Sequence, residues 1–369
     1  MAKSKKLQAK NVTTFILALI IIVFAIYLYY NKDKLNLDAL SENSSSKKST
    51  ILQDGATVTG VLKVHFIDVG QGDCMFVELP DGNNMLIDSG KPNNDELITN
   101  YIHGLGYEKI DILFATHSDD DHIGSMPEIF ANFEIVRCLR PAIYYDGEHV
   151  GDFSSDFNVQ PDYENLGDID VKTHATDAYY KFLSALQQEG CHWEYFDYES
   201  DFYNSFEHEG ENLKYKMDFL SPTKKVPFIA YEDANDYSPI SILSYGNFEL
   251  LLTGDAHKTV ETEVLNYYSE YPDVEVLKVG HHGSHSSTAD EFIKAFKPEF
   301  AVIQCGNHKT YQHPRQVTLT TLYNNGVIPY RTDMQGTIVL TVQSNGSFNF
   351  ACEKEVLDLE SLYVGKDKK

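Results

Sequence analysis

Along most of this chain, short apolar runs stop at glycine or polar residues, and the runs have the length of strands. Residues 60–70 and 71–79 read as two such strands, and Pro80-Asp-Gly-Asn83 is a turn signal leading to a third at 84–90. A helical stretch at 95–105, closed by Gly104 and Gly106, feeds a buried strand at 110–115. A helix then opens with Ser125 as its N-cap and Pro127 in its first turn. After Arg140 the periodicity fades, and 141–175 reads as irregular. Asp177 caps a helix over 178–188 that ends at Gly190; 193–211 reads as a strand with a surface loop, and 213–220 alternates as a half-buried strand. Strands 240–245 and 248–253 flank Gly246-Asn247 as a hairpin. The rest is predicted as helix 258–268, strand 274–279, helix 289–296, strand 300–304, helix 315–324 and strands 337–342 and 347–352. Strands alternating with helices predict one α/β domain over 58–355, with an irregular, acidic, Tyr-rich region at 141–211 and a C-terminal tail at 356–369.

One run differs in kind. Residues 13–30 carry no charge and are long enough to span a bilayer, with Tyr27, Tyr29 and Tyr30 at the far end where interfacial aromatics belong. Lys3, Lys5, Lys6 and Lys10 precede it, so residues 1–12 form a cytoplasmic basic tail and all that follows the span is expected outside the cell. A cleaved signal peptide fits less well, because the run is long for an apolar signal core and no small-x-small site follows. Residues 31–57, rich in Asn, Lys, Ser and Asp, read as a flexible linker. A single span predicts an anchored domain rather than a channel.

A formal charge of −25 on 369 residues argues against a basic groove for duplex nucleic acid. It leaves room for a phosphoesterase whose bound metal ions supply the positive charge. The five cysteines (Cys74, Cys138, Cys191, Cys305, Cys352) are scattered with no CxxC pair, so they do not read as a disulfide framework.

Chemistry concentrates in residues 116–125. His117, Asp119, Asp121 and His122 offer two imidazoles and two carboxylates within six positions, on a loop that follows the strand at 110–115. So short a loop cannot wrap all four around one tetrahedral ion; alternate residues reach two neighbouring ions instead. His with carboxylate suits zinc, manganese or iron. Other polar residues occupy the same kind of place, directly after an apolar strand: Gln71 and Asp73, Asp88, Asp255, His281 with His282, and His313. Strands laid side by side would gather these ends along one edge.

The motifs Asp68-Val-Gly-Gln-Gly-Asp73, Leu86-Ile-Asp-Ser-Gly90, Thr116-His-Ser-Asp-Asp-Asp-His-Ile-Gly124, Leu252-Thr-Gly-Asp255, Gly280-His-His-Gly-Ser284 and Tyr311-Gln-His-Pro314 together resemble a metallo-β-lactamase-fold hydrolase. Within that family they are most like the extracellular hydrolase domain of the ComEC competence branch, over roughly residues 60–345. The resemblance implies a four-layer αββα sandwich and two divalent metal ions, zinc or manganese. His117 and Asp119 would hold the first ion, Asp121 and His122 the second, with Asp255 bridging and His281 completing the second set; His282 is the alternative. Asp88 would support the loop by hydrogen bonds. The family's third His on the first ion has no counterpart here. Asn235-x-x-Ser238 stands in its place, leaving Asp236 or a water to complete the ion, with His174 and His208 as remote substitutes.

Two ions lower the pKa of a water held between them and stabilise an attacked phosphoryl group. Asp121 would orient that hydroxide, while His313 would contact substrate or protonate the leaving oxygen. Ser284 and Ser286 read as caps of the following helix. The expected activity is phosphodiester hydrolysis on short or single-stranded nucleic acid, without strong duplex binding. The alternatives are a hydrolase of another ester, amide or lactone, and a surface-binding protein with little turnover.

Overall fold

The computed structural model describes residues 50–51, 57–160, 176–223, 231–307 and 310–368. The expected span at 13–30 and most of the 31–57 linker lie outside them; among the described residues no helix is long and apolar enough to cross a membrane. Everything that follows lies in one compact unit, Ser49–Gly346 with Phe350–Lys369.

After a short strand pair, β1 (Thr50–Ile51) and β2 (Thr57–Val58), the chain builds the first sheet from β3 (Val61–Phe66), β4 (Met75–Glu78), β5 (Asn84–Ile87), β6 (Lys109–Phe114), β7 (Glu134–Arg140) and β8 (His192–Tyr195). β3 to β5 are antiparallel neighbours, and β5 to β8 run parallel. The second sheet repeats this plan: β9 (Asp201–His208), β10 (Glu211–Phe219), β11 (Ser241–Tyr245) and β12 (Phe248–Leu252) are antiparallel, then β13 (Val276–Lys278), β14 (Phe300–Ile303) and β15 (Ile328–Arg331) continue parallel. β16 (Ile338–Gln343) returns to pair with β3 of the first sheet.

Helices cover the outer face of each sheet. α1 (Asp95–Gly104), the one-turn α2 (Asp120–Ile123), α3 (Met126–Asn132) and α4 (Asp177–Glu189) bury Ile98, Ile102, Ile129, Phe182 and Leu186 against Phe76, Leu86 and Leu113 of the first sheet. α5 (Lys258–Tyr267), α6 (Asp290–Phe296) and α7 (Gln316–Asn324) bury Val260, Val264, Phe292, Phe296 and Leu319 against Leu251, Leu277 and Ile303 of the second. The inner faces meet through rings: Phe114 lies 5.8 Å from Phe219, which stacks on Phe196 at 5.5 Å. Each such apolar side chain contributes roughly 1.5–3 kcal/mol on leaving water. The layer order is helix, sheet, sheet, helix.

The parallel strands of both sheets end on the same side, so their following loops converge. One glycine makes that convergence possible. Gly72 sits at φ +140°, and a Cβ there would lie 2.4 Å from the carbonyl oxygen of Asp121, against which Asp73 N–H donates at 3.1 Å.

Several local expectations give way to longer-range partners. Ser125 does not cap α3; its hydroxyl donates to the Lys91 carbonyl at 2.6 Å and accepts from the Asn94 N–H. Thr176, not Asp177, caps α4, accepting the Tyr179 N–H at 3.0 Å. The start of α6 is capped from outside by buried Glu261, which takes the N–H groups of Thr288 and Ala289, while Ser284 and Ser286 bond one another instead. The 141–211 region, irregular in sequence, holds α4, β8 and β9 in its described part, and 161–175 lie outside the description. β15 was not foreseen. The 356–368 stretch docks rather than trailing: Arg331 donates to the carbonyls of Leu362 and Val364, and Lys366 pairs with Asp333 at 2.8 Å. All five cysteines are free thiols.

Candidate metal centre

Three histidines share one arrangement. His122 Nδ1 lies 2.7 Å from Asp88 Oδ2, and Asp88 also accepts the Thr116 N–H and hydroxyl at 2.9 and 2.7 Å. His282 Nδ1 faces the Gln304 carbonyl at 3.0 Å and Asp73 Oδ1 at 3.1 Å. His117 Nδ1 lies 3.1 Å from the hydroxyls of both Thr116 and Ser238. In all three the Nε2 atom is buried with no hydrogen-bond partner. Nδ1 partners fix ring orientation, so each ring presents Nε2 to the centre.

Asp255 sits where those atoms point. Its Oδ2 is 3.2 Å from His122 Nε2, 3.3 Å from His282 Nε2 and 3.8 Å from His281 Nε2. Asp121 Oδ2 approaches His282 Nε2 at 3.4 Å, and Asp119 Oδ2 approaches His117 Nε2 at 3.8 Å. The rings of His117 and His122 are 4.1 Å apart, and those of His122 and His282 5.2 Å. Burial disfavours ionised Asp255, but the charges of His122 and His282 outweigh it and hold the carboxyl well below its usual range. Burial likewise opposes charge on His122, and Asp255 and Asp88 reverse this, raising the ring well above an ordinary histidine.

Such an arrangement fits divalent cations. Imidazole nitrogens without partners and a fully buried carboxylate are costly unless a cation joins them, and the N/O donor set suits zinc, manganese or iron. Asp73, His122, Asp255 and His282 bring ligand atoms within 4.8 Å of one another. Asp73 is the outer member of that group, since it holds His282 at Nδ1 and forms an ion pair with Lys278 Nζ at 2.5 Å, both side chains fully buried.

The strand-end residues singled out in the sequence are thus brought to one place, with differences of detail. His282 rather than His281 joins the four-residue cluster; His281 stands beside it, its Nδ1 3.2 Å from the Ser286 hydroxyl. The backbone explains the difference, because His281 and His282 take φ of 48° and 54°, a left-handed pair that re-aims both rings. His313 packs 5.4 Å from the His281 ring and 6.3 Å from His282, with its Nδ1 buried and unpaired. Burial and the charges of His282 and His281 push its pKa down to about 3. Gln71 is buried with Oε1 unpaired. Asp236 turns to His257, 3.2 Å from its Nδ1. His174 lies outside the described residues, and the His208 ring packs beside Gly60 on edge strand β9. Lys278 escaped notice in the sequence, since a lysine within an apolar strand reads as solvent-facing; only its pairing with Asp73 reveals its place.

Residues 67–183 match the metallo-beta-lactamase superfamily. Among curated proteins, the chain is 29% identical over 296 residues to ComE operon protein 3 of Bacillus subtilis, covering 75% of this chain and 32% of that protein. It is 24% identical over 272 residues to competence protein ComA of Neisseria gonorrhoeae, covering 73% and 31%. The chain spans about a third of the length of these curated relatives. A solved structure, the metallo-beta-lactamase fold protein YhfI from Bacillus subtilis, overlays with a TM-score of 0.38 at 11% identity, over 72% of this chain and 95% of that one. Residues 67–183 are thus a metallo-beta-lactamase domain, and the architecture is the metal-dependent hydrolase fold of that superfamily. Its homologues are competence proteins of the ComEC type.

Proposed function

We propose that this protein is a membrane-anchored hydrolase acting outside the cell, which uses two divalent ions, zinc or manganese, to cleave phosphodiester bonds. The observation that carries the reading is the trio of buried histidines, each tied at Nδ1 and free at Nε2, around Asp255. Homology to competence proteins supports a nucleic-acid substrate, and the charge of −25 favours short or single-stranded pieces over extended duplex. The uncharged run at 13–30 supports the anchor.

Bound ions supply positive charge opposite a phosphoryl group and lower the pKa of a coordinated water. The chain does the rest. His117 and Asp119 would hold the first ion and Asp121, His122 and His282 the second, with Asp255 within reach of both sets. Asp121 is held ionised: burial opposes this, but His282, 3.4 Å away, and the charge of His122 prevail. It therefore orients the attacking water by accepting its hydrogen bond. Neutral His313 hydrogen-bonds substrate at the rim, beside the exposed ring of Tyr311 at 5.9 Å.

The test uses the full chain in detergent. Elemental analysis is expected to find two ions per chain, and bis(p-nitrophenyl) phosphate to turn over with added Mn²⁺ or Zn²⁺. Metal bound without turnover of any phosphodiester would reject the substrate class, and absence of bound metal under all conditions would reject the reading whole.

A further inference from the structure

If the binuclear reading above holds, the first ion has too few ligands. The metal loop gives it His117 and Asp119, and Asp255 is shared. The short turn Ala234–Tyr237 lies against that loop, because the Ser238 hydroxyl reaches His117 Nδ1 at 3.1 Å and accepts the Asp255 N–H at 3.0 Å. Three side chains at this turn carry oxygens that could turn inward: Asp233, Asn235 and Asp236.

Two of the three are committed. Asp236 Oδ1 accepts the His257 N–H at 3.2 Å and faces the His257 ring. Asp233 Oδ1 accepts both the backbone N–H of Asn235 at 3.0 Å and its side-chain amide at 2.9 Å. An ionised carboxylate only accepts, so the amide nitrogen of Asn235 must face Asp233 and the amide oxygen must face away from it. That oxygen is buried and has no hydrogen-bond partner. The Ser238 contacts with His117 and Asp255 keep this turn, and that oxygen with it, against the metal loop.

We propose that Asn235 Oδ1 is the third protein ligand of the first ion, beside His117 Nε2 and Asp119, where the sequence lacks a third imidazole. This gives the two ions unlike surroundings. The second has two imidazoles and two carboxylates in a closed pocket. The first has one imidazole and otherwise oxygen, one of them a neutral amide, on the side where the Asp119 side chain is 37% exposed. Oxygen-rich sites suit harder ions, so the first position discriminates less against Mn²⁺ than the second does and holds its ion more weakly.

The experiment is a Mn²⁺ titration of the chelator-stripped full chain in detergent, followed by electron paramagnetic resonance of the free ion, with Zn²⁺ competition. Wild type is expected to show a tight and a weak class of site. Asn235→Ala should weaken the weak class at least about tenfold and leave the tight class intact, which also reports an intact fold. Asn235→Asp should restore Mn²⁺ binding, and Asn235→His should turn the weak site toward Zn²⁺. Two classes of unchanged affinity in Asn235→Ala overturn this inference alone. A wild type that takes up no ion overturns it together with the hydrolase reading on which it rests.

Discussion

Two networks, one within the first sheet around Glu78 and one where the loops of both sheets meet around Asp255, have nearly the same ingredients. Around Glu78, Oε1 accepts from Lys63 Nζ at 3.1 Å and faces His65 Nε2 at 2.9 Å, Oε2 accepts the Tyr107 hydroxyl at 3.0 Å, and His65 Nδ1 meets the Tyr101 hydroxyl at 2.9 Å. Around Asp255, carboxylates and imidazoles again crowd together with a buried lysine, yet three imidazole Nε2 atoms and Asp255 Oδ1 have no partner. The first network closes on itself and is structural. The second is closed only at its periphery, through Asp88, Asp73 and Ser238, and stays open at its centre. Composition and burial do not separate a metal site from a structural salt bridge; the atoms left over do.

The sharpest way to break this contrast is to cut the periphery. Asp73→Ala leaves Lys278 buried without its carboxylate and is expected to cost about 3–5 kcal/mol in urea unfolding. Adding Lys278→Met should recover most of that stability without recovering metal affinity, since His282 still lacks its Asp73 contact. Next comes the open centre itself. Asp121→Ala is expected to lower phosphodiester turnover at least about 100-fold with little change in melting temperature, whereas Glu78→Gln leaves turnover untouched.

The third prediction concerns acid. Burial resists ionisation of Glu78, but the hydrogen bond to His65 and the Lys63 charge outweigh it and bring the carboxyl down to about 2 from 4.5. A depressed carboxyl stabilises the fold above its unfolded pKa, and the contribution is lost as pH falls from about 4.5 through about 2. It should amount to about 2 kcal/mol after solvent screening, and Glu78→Gln should flatten the unfolding free energy over that window. The smallest effect per step belongs to the centre. Burial lowers the His282 pKa, but Asp255 and Asp73 push it up to about 10, so a proton must leave before an ion enters. Metal affinity, measured by chelator competition, should therefore rise up to about tenfold per pH unit between pH 6 and 9. A flat profile would mean that His282 is not a ligand.

Much of the site could be read from the chain because polar residues follow apolar strands: Asp88 after β5, His117 to His122 after β6, Asp255 after β12 and the His281-His282 pair after β13. The choice within that pair could not, since it depends on left-handed backbone that no periodicity signals. The roles of Asp236 and Asn235 were equally hidden, because only the tertiary contact with His257 and the cap from Asp233 decide which oxygen is free. Strand and helix order was legible wherever a run was apolar on one side. It faded at 141–211, where α4 and β8 are held by aromatic packing such as Trp193 on Phe157 at 5.2 Å rather than by a clean repeat.

His122 belongs to the first sheet, while Asp255 and His282 belong to the second. An ion held by all three would be a rivet between halves of the polypeptide that are far apart in sequence, closing a loop that the unfolded chain would have to close at an entropic cost. At a free-ion concentration a hundred times the dissociation constant, each such rivet adds about 2.7 kcal/mol to the folded state. Heat and protease resistance should then follow the metal supply of the surroundings, so that scarcity of ions removes the protein itself as well as its activity.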